Sequence, residues 1–570
     1  MIARFPLPAS PPAVSLQVLW RRLGARASTG LWASSACVFL VALLALGWNI
    51  EGGRIAAAYA DPIAGVRAQD ESVYVSSAIR MAEGGSWLTP EVMGRLLLAK
   101  PPLLQWLSAS AIDLFGLGLL SVRLPSLLFG AAGVAAVFAW ASLGRTSFAG
   151  LIAALLLVSN PIWATFARLC YTDVLGSALA LLAICSLAFD PALRRRRSRW
   201  LFGLFAGAAV MAKGIIGALP FFALGLYFAA ARREDRPAAR HALESLAVCL
   251  LVALPWHVYQ LIVHRQWLLA ESIFHQLIAV GVTETTGVRE SLFYVRRLLA
   301  MDPALCILLL LGVGGAYHAW RRREPVRLIA LCWTAVVVAA LAVFRGRSVS
   351  YLTLLVPGLC VLAALYLPRF LQRASFVVVF GLVATFAVRA AVGNQPWSLR
   401  YDAPRWPSAA AMRWYYDQNR DAELIIAQPD DEFYGLTLPL KKIRYCLLGA
   451  RDTLAALSPH FLYLGIAVSA KDFAGLAWKT PEIVDRLRAW GLDSQEPVAT
   501  AILLDRPEDI RTVVEARPEA DFYLPESWRP LTPKGICSTH DVVPVAGRVF
   551  LLARNVDERA ASPQPLPAPW

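Results

Sequence analysis

The residues best suited to chemistry lie in one stretch, residues 70–125, which begins with the acidic pair Asp70-Glu71. A carboxylate within hydrogen-bond reach of a hydroxyl can take its proton, which is general base catalysis. The apolar spacing from Tyr74 to Met81 predicts an amphipathic helix on a membrane surface. Asp70 and Glu71 would lie at its N-terminus, where the helix dipole favours negative charge. A helix cap on an ordinary surface loop is the alternative.

Lysine is rare in the first part of the chain: residues 1–393 contain many arginines but only Lys100 and Lys213. In a chain so biased toward arginine, a lysine beside an apolar segment is a candidate for a compact positive charge that binds an anion. A lysine at a helix end can instead extend its ammonium to water and have no binding role. The residues alone leave both alternatives open.

Further polar residues fall near the ends of apolar segments. Asp173 starts one such segment, where a carboxylate is costly unless it is used or caps the helix, and Arg168 is a candidate partner for it. Arg347 and Tyr351 can both donate hydrogen bonds to a phosphate, or simply anchor the chain at the membrane interface. His275 follows an acidic residue by four positions, which can bring two metal ligands together but does not complete a site.

The composition determines what kind of scaffold must position these residues. The 570 residues are 57% hydrophobic and 17% charged, with a mean hydropathy of +0.53, which excludes a soluble enzyme. The net charge of +15 does not require a nucleic-acid partner, because basic residues also cluster on the cytoplasmic side of membrane proteins. The nine cysteines form no CxxC pair, which excludes a fold built on metal sites or on many disulfides.

Apolar runs of about 20 residues, the length that spans a bilayer, recur through the first part of the chain. We predict 11 spans, at 31–50, 117–142, 147–165, 174–190, 200–212, 214–231, 243–263, 298–319, 328–344, 352–368 and 375–393. Five arginine clusters then fall on the same side as the N-terminus, which the positive-inside rule makes cytoplasmic. The agreement of all five supports both the count and the orientation.

The remaining residues predict a second domain outside the cytoplasm. Short β-rich runs such as Leu424–Ala427, Thr500–Leu504 and Val549–Ala553 alternate with helical stretches, which is typical of a small α/β domain. Cys446 and Cys537 could pair there. The predicted parts are a cytoplasmic segment at 1–30, a membrane domain at 31–393 with an outer loop at 51–116, an extracytoplasmic α/β domain at 394–558 and a disordered tail at 559–570.

The order of motifs in residues 70–125 resembles the polyprenyl-phosphate-sugar glycosyltransferases of the GT-C fold, which include protein O-mannosyltransferases and the aminoarabinose transferases of lipid A. The shared series is Asp-Glu, a Tyr three positions on, Gly-x-Trp-x-x-Pro, Lys-Pro-Pro, Phe-Gly and Arg-Leu-Pro, which here runs from Asp70-Glu71 to Arg123-Leu124-Pro125. The resemblance implies the GT-C fold for the membrane domain.

The resemblance also implies roles for individual residues. The first-loop carboxylate of the family serves in catalysis and matches Asp70, with Glu71 beside it, and a second acidic residue matches Asp173. The Lys-Pro-Pro lysine of the family approaches the lipid phosphate and matches Lys100. The settings of Lys213 and of Arg347 with Tyr351 also match, so the resemblance implies that these residues bind the carrier phosphate with Lys100. Arg168, together with Lys213, is a further candidate pair for that phosphate.

The same resemblance bears on cofactors. In some aminoarabinose transferases a histidine that matches His275 binds metal, with an acidic residue immediately before the Lys-Pro-Pro lysine. That position is Ala99 here. The sequence therefore predicts no cofactor, and a divalent metal at His275 is the weaker alternative.

The resemblance, together with the predicted membrane spans, implies a bacterial inner-membrane glycosyltransferase. It would move a sugar from undecaprenyl phosphate, or another polyprenyl phosphate, to an extracytoplasmic acceptor such as lipid A or another envelope glycan. Transfer to protein hydroxyls is one alternative. A lipid or solute transporter is another, and it should show broken helices and charges near midspan, often as paired repeats.

Overall fold

The computed structural model describes residues 16–48, 50, 70–92, 95–269, 304–344, 348–367, 422–427, 443–448, 467–469, 501–545 and 547–554, and single residues at 272, 293, 294, 296, 377, 414, 415, 418 and 420. Up to residue 367 the described chain is almost entirely helical, with one two-stranded hairpin. The helices are α1 Leu16–Gly47, α2 Asp70–Ala82, α3 Leu103–Phe115, α4 Leu119–Gly144, α5 Ser147–Val158, α6 Pro161–Ala167, α7 Thr172–Phe189, α8 Arg196–Lys213, α9 Leu219–Ala230, α10 Ala239–Val263, α11 Arg265–Leu268, α12 Ala304–Arg322, α13 Pro325–Val343 and α14 Leu352–Tyr366. The hairpin strands are β1 Glu91–Val92 and β2 Arg95–Leu96.

Within the described residues, seven helical segments are long and apolar enough to cross a membrane, or eight if one bent helix pair forms a single span. In this count of seven, α8 and α9 together are one segment. The predicted span 375–393 lies outside the described residues, apart from Val377, so the total of 11 stays a prediction. The membrane domain is thus multi-helical as predicted.

The predicted span 147–165 is bent rather than straight. Helices α5 and α6 meet at an angle of 68°. Asn160 ends the first helix and caps the second, because its Oδ1 accepts hydrogen bonds from the amides of Ile162 and Trp163. Pro161 then occupies the first turn of α6, where its missing N–H costs nothing. The predicted span 147–165 therefore corresponds to a bent pair of helices, which counts as one span if both halves lie in the membrane.

Helices α8 and α9 fold back on each other, and the chain turns at Lys213-Gly214, between the predicted spans 200–212 and 214–231. Gly214 has a φ of 63°, a left-handed conformation that ends α8, and a 3₁₀ turn at Gly214–Ala218 follows. The rings of Phe202 and Phe221 lie 5.2 Å apart, although one is on α8 and the other on α9. The two helices therefore form an antiparallel pair.

In the described part of the C-terminal region, seven strands form one sheet, in the order β5-β6-β4-β3-β7-β9-β8. The strands are β3 Leu424–Ala427, β4 Ile443–Leu448, β5 Ala467–Ser469, β6 Ala501–Leu504, β7 Asp521–Pro525, β8 His540–Val545 and β9 Arg548–Ala553, with helices α15 Ile510–Ala516 and α16 Ile536–Thr539. The first five strands in this order are parallel, and β9 and β8 add an antiparallel edge. The three strands predicted from the sequence are confirmed.

The two cysteines of this domain do not form the disulfide that the sequence left open. Cys446 is buried on β4, whereas Cys537 is a free thiol exposed on α16. The predicted tail at 559–570 lies outside the described residues.

Candidate active site

Helix α2 carries the predicted catalytic carboxylates at its first turn. Asp70 and Glu71 open the helix, and Arg80 lies in its last turn, so both ends carry the charge that the helix dipole favours. The predicted helix from Tyr74 to Met81 is confirmed and extends to Asp70. Its buried face includes Tyr74 and Val75, which hold the helix against the membrane domain.

The chain turns sharply after α2 and is tethered before it reaches the next site residue. Gly84 has a φ of 94°, which an L-residue rarely adopts, and its N–H bonds to the carbonyl of Met81. The indole of Trp256 on α10 and the amide of Gln260 both donate to the carbonyl of Leu88, at 2.8 and 2.6 Å. These contacts fix the loop that leads back from α2 toward Lys100.

Lys100 lies between the β1–β2 hairpin and α3, beside the start of α2. Its Nζ donates to the hydroxyl of Tyr74 at 2.5 Å and lies 3.8 Å from Oδ2 of Asp70. The Asp70 side chain is 56% exposed, whereas that of Lys100 is only 20% exposed. An accessible carboxylate thus faces a largely buried ammonium.

The surroundings keep both partners of the Lys100–Tyr74 hydrogen bond protonated. Burial raises the pKa of Tyr74 well above its ordinary value, so its hydroxyl does not ionise near neutral pH. Burial alone would lower the pKa of Lys100, but Tyr74, Asp70 and Asp173 outweigh that effect and raise it above its ordinary range. Lys100 therefore carries a permanent positive charge.

Glu71, next to Asp70, has an entirely different environment. It is fully buried and accepts two hydrogen bonds from Arg123, at 2.8 and 3.0 Å, in a bidentate ion pair. The backbone N–H of Cys170 donates to the same carboxylate at 2.9 Å. Glu71 therefore ties α2 to α4 and to the segment before α7, which indicates a structural rather than a catalytic role.

Asp173 and Lys213 form a buried ion pair where α7 begins and α8 ends. Their side chains are 3% and 2% exposed, and Lys213 Nζ donates to Asp173 Oδ1. The side chain of Ser350 also lies close to the Asp173 carboxylate. Gly176, one turn beyond Asp173, provides the space for the lysine stem, because a Cβ added there would lie 3.0 Å from Lys213 Cβ.

Tyr351 completes the cluster from the start of α14. The ammonium of Lys213 lies 4.7 Å from the centre of the Tyr351 ring, a cation–π contact. Lys100 and Asp173 are close enough to interact electrostatically. The structure thus brings together five of the predicted site residues, Asp70, Lys100, Asp173, Lys213 and Tyr351, and all of them lie at or next to helix ends.

Two of the predicted site residues lie outside the part of the chain that the structure describes, and a third makes contacts other than those expected. Arg347 and His275 lie outside the described residues. Arg168 donates to the carbonyls of Leu46 and Trp48 at the end of α1, and the predicted pairing of Arg168 with Asp173 is wrong because Lys213 takes that position. Among the residues that the structure describes, no group of three or more His, Cys, Asp or Glu could hold a metal ion.

Sequence reasoning missed two members of the cluster. Tyr74 was recognised as part of a motif but not as a partner of Lys100, although its spacing of four residues from Asp70 places both on one helical face. Ser350 gave no signal, because a serine beside an apolar segment is common.

Comparison with known proteins identifies the fold to which this site belongs. A family model described as dolichyl-phosphate-mannose-protein mannosyltransferase matches residues 99–259. The crystal structure of ArnT from Cupriavidus metallidurans bound to undecaprenyl phosphate matches with a TM-score of 0.63, over 92% of this chain and 98% of that chain, at 16% sequence identity. The apo form of that protein matches with a TM-score of 0.61. The chain therefore has the predicted GT-C fold and is a multi-pass membrane protein.

Curated relatives share sequence over part of their length. An undecaprenyl phosphate-alpha-4-amino-4-deoxy-L-arabinose arabinosyl transferase of Sodalis glossinidius (strain morsitans) is 26% identical over 373 residues, which are 59% of this chain and 63% of the relative. The transferase of the same name from Pseudomonas aeruginosa (strain LESB58) is 27% identical over 317 residues, which are 53% of this chain and 55% of the relative. The resemblance to polyprenyl-phosphate-sugar glycosyltransferases predicted from residues 70–125 is confirmed.

Proposed function

We propose that this chain is a glycosyltransferase that moves a sugar from a polyprenyl phosphate, undecaprenyl phosphate in bacteria, to an acceptor at the outer membrane face. The observation that carries the proposal is the exposed carboxylate of Asp70, 3.8 Å from the charged ammonium of Lys100. A base and a phosphate ligand so close together suit a substrate whose attacked carbon is bonded to a phosphate oxygen.

The chemical step needs both groups. Asp70 takes the proton of the acceptor hydroxyl while its oxygen forms a bond to the anomeric carbon of the sugar. The bond between that carbon and the phosphate oxygen breaks, and the electron pair leaves with the polyprenyl phosphate. Lys100 stabilises the charge of the leaving phosphate, with Tyr351 and Arg347 as further donors. Tyr74 positions the ammonium of Lys100.

The position of the cluster supports a lipid-borne donor. Asp173, Lys213 and Tyr351 lie at the ends of α7, α8 and α14, which are apolar helices of membrane-spanning length or parts of such segments. A phosphate bound there would sit at the membrane surface while its polyprenyl tail lies in the bilayer. A transporter would instead need charges near midspan.

For the acceptor we propose lipid A or another envelope glycan, because the curated relatives are named as aminoarabinose transferases. Transfer to protein hydroxyls is the second candidate, because the matching family model is described as a protein mannosyltransferase. The decisive experiment is mass spectrometry of lipid A, envelope glycans and secreted glycopeptides from cells with the gene, without it, and complemented with either the parent chain or Asp70→Asn. A sugar that is lost on deletion and restored only by the parent chain identifies the acceptor, and unchanged profiles in all three fractions would contradict the proposal.

We also propose that the N-terminus is cytoplasmic and that residues 394–558 are extracytoplasmic. The five arginine clusters support this orientation. Reporter fusions at residues 196, 322 and 400 test it. We expect cytoplasmic signals at the first two positions and an extracytoplasmic signal at 400, and a cytoplasmic signal at 400 would contradict it.

A further inference from the structure

Two arginine clusters that are separate in the sequence meet on one surface of the membrane domain. The turn before α8 and the turn between α9 and α10 contact each other, because Arg194 Nη2 donates to the carbonyl of Glu234 at 3.2 Å. The ring Nδ1 of His241 also lies 3.3 Å from the carbonyl of Ala192. We call the resulting surface the arginine patch, and it consists of Arg194, Arg195, Arg196, Arg197, Arg199, Arg232, Arg233, Arg236 and Arg240.

The arginine patch has more positive charge than its own carboxylates can neutralise. The two turns and the helix ends beside them contain nine arginines and four carboxylates, Asp190, Glu234, Asp235 and Glu244. Glu244 is paired with Arg199, whose Nε lies 2.5 Å from Oε2. Asp190 accepts a hydrogen bond from the backbone N–H of Arg195 at 2.7 Å. Four further arginines are exposed, and no carboxylate of the described chain lies within salt-bridge distance of their guanidinium groups: Arg195, Arg197, Arg232 and Arg233.

The arginine patch borders exposed apolar surface, which distinguishes a lipid site from a site for a soluble anion. Trp200 on α8 is 49% exposed, and the guanidinium of Arg196 lies 4.4 Å from its ring centre. Phe228 on α9 is 44% exposed, with the guanidinium of Arg236 5.7 Å from its ring centre. Leu243 on α10 is 63% exposed. Cations and apolar side chains thus adjoin on three helices.

We propose that the arginine patch binds the headgroup of an anionic phospholipid, with the acyl chains lying against the exposed apolar faces of α8, α9 and α10. Arginine binds phosphate oxygens bidentately, and basic pockets between membrane helices are known to favour anionic headgroups. The clusters at the two turns act as one site because the contacts between the turns hold them together. The site lies apart from the proposed catalytic cluster, since it is at the start of α8 whereas Lys213 is at the end.

The test is a native mass spectrometry titration of the full chain, purified in detergent, with phosphatidylglycerol or phosphatidylethanolamine of the same acyl chains. We expect phosphatidylglycerol adducts at a concentration at least 5-fold lower, the effect of about one arginine near a headgroup. Equal occupancy by the two lipids would overturn the proposal, as would displacement of phosphatidylglycerol by an equal concentration of inorganic phosphate.

A pair of matched variants tests the position of the site. Arg195→Gln with Arg233→Gln removes one exposed charge from each turn, and Arg511→Gln with Arg529→Gln removes two exposed charges from the C-terminal domain. We expect the first variant to weaken phosphatidylglycerol binding about 25-fold, at about 5-fold for each arginine, and the second to leave it unchanged. Equal effects of the two variants would overturn the proposal. Should the first variant fail to fold, the comparison of the two lipids on the parent chain decides.

Discussion

Lys100 Nζ lies 3.8 Å from Asp70 Oδ2, although helix α2 and the loop that follows it separate the two residues in the sequence. Asp70 opens α2, and Lys100 returns to it after the β1–β2 hairpin, just before α3. The carboxylate is exposed and the ammonium is largely buried, so the pair combines an accessible base with a fixed cation. The predictions below follow from this arrangement and from the buried pair beside it.

Removing the Tyr74 hydroxyl should impair the use of the sugar donor without unfolding the chain. Tyr74→Phe keeps the ring but deletes the acceptor that holds Lys100 Nζ at 2.5 Å. A hydrogen bond to a charged group contributes roughly 1.5–3 kcal/mol, so kcat/KM for the donor should fall roughly 10- to 100-fold. Steady-state kinetics with the donor and the acceptor varied separately measures this.

The control for that variant is Tyr227→Phe, which removes the hydroxyl of another buried tyrosine, on α9. We expect it to leave the donor KM unchanged. A positioning role for Tyr74 predicts a raised donor KM with the acceptor KM unaffected. Equal effects of the two variants on the donor KM would mean that Tyr74 only supports the fold.

Separating the buried pair of Asp173 and Lys213 should destabilise the protein. Both side chains are at most 3% exposed, so Asp173→Asn leaves a buried ammonium without its counter-charge. Breaking such a pair costs about 3–5 kcal/mol. The double variant Asp173→Leu with Lys213→Met removes both charges and should recover most of that stability, while transfer stays low.

Denaturant unfolding in detergent, together with a transfer assay, measures both effects. Recovered transfer in the double variant would show that the pair has a structural role alone. An Asp173→Asn variant as stable as the parent would show that the lysine has another partner.

Adding a methyl group against the side-chain stem of Lys213 should reduce the rate of transfer, while the protein still folds. Gly176→Ala places a Cβ 3.0 Å from Lys213 Cβ, which must then shift by a few tenths of an ångström. We expect a destabilisation of about 1–3 kcal/mol and a several-fold lower rate of transfer.

Gly225→Ala on α9 is the matched control, because no atom lies within 4 Å of its added Cβ. It should be neutral or stabilising by up to about 1 kcal/mol, and the same loss of activity in both variants would contradict this account.

Much of the fold was predictable because its causes are local. Apolar length predicts membrane helices, and alternation of short β-rich runs predicts the C-terminal sheet. The break in the chain at Gly214 was visible as Lys213-Gly214 within a stretch too long for one helix. The 68° bend at Asn160-Pro161 was also predictable, because a capping residue followed by proline is typical of the start of a new helix.

The site was less predictable because it depends on contacts between distant segments. Asp70 and Glu71 are neighbours in the sequence, but successive helical residues point about 100° apart, so one is exposed and the other meets Arg123. The partner of Asp173 was predicted as Arg168, the nearer in sequence, whereas the fold brings Lys213 from the end of α8. Composition and spacing do not reveal which cation reaches a given carboxylate.

The most direct test of the account compares Asp70→Asn with Glu71→Gln, two matched changes in adjacent residues. In a reconstituted assay with a polyprenyl-phosphate sugar, Asp70→Asn should fold and bind polyprenyl phosphate like the parent, but transfer at least about 100-fold more slowly. Glu71→Gln should instead lower the free energy of unfolding, because it weakens the buried ion pair with Arg123. Near-normal transfer by folded Asp70→Asn would contradict the assignment of Asp70 as the base.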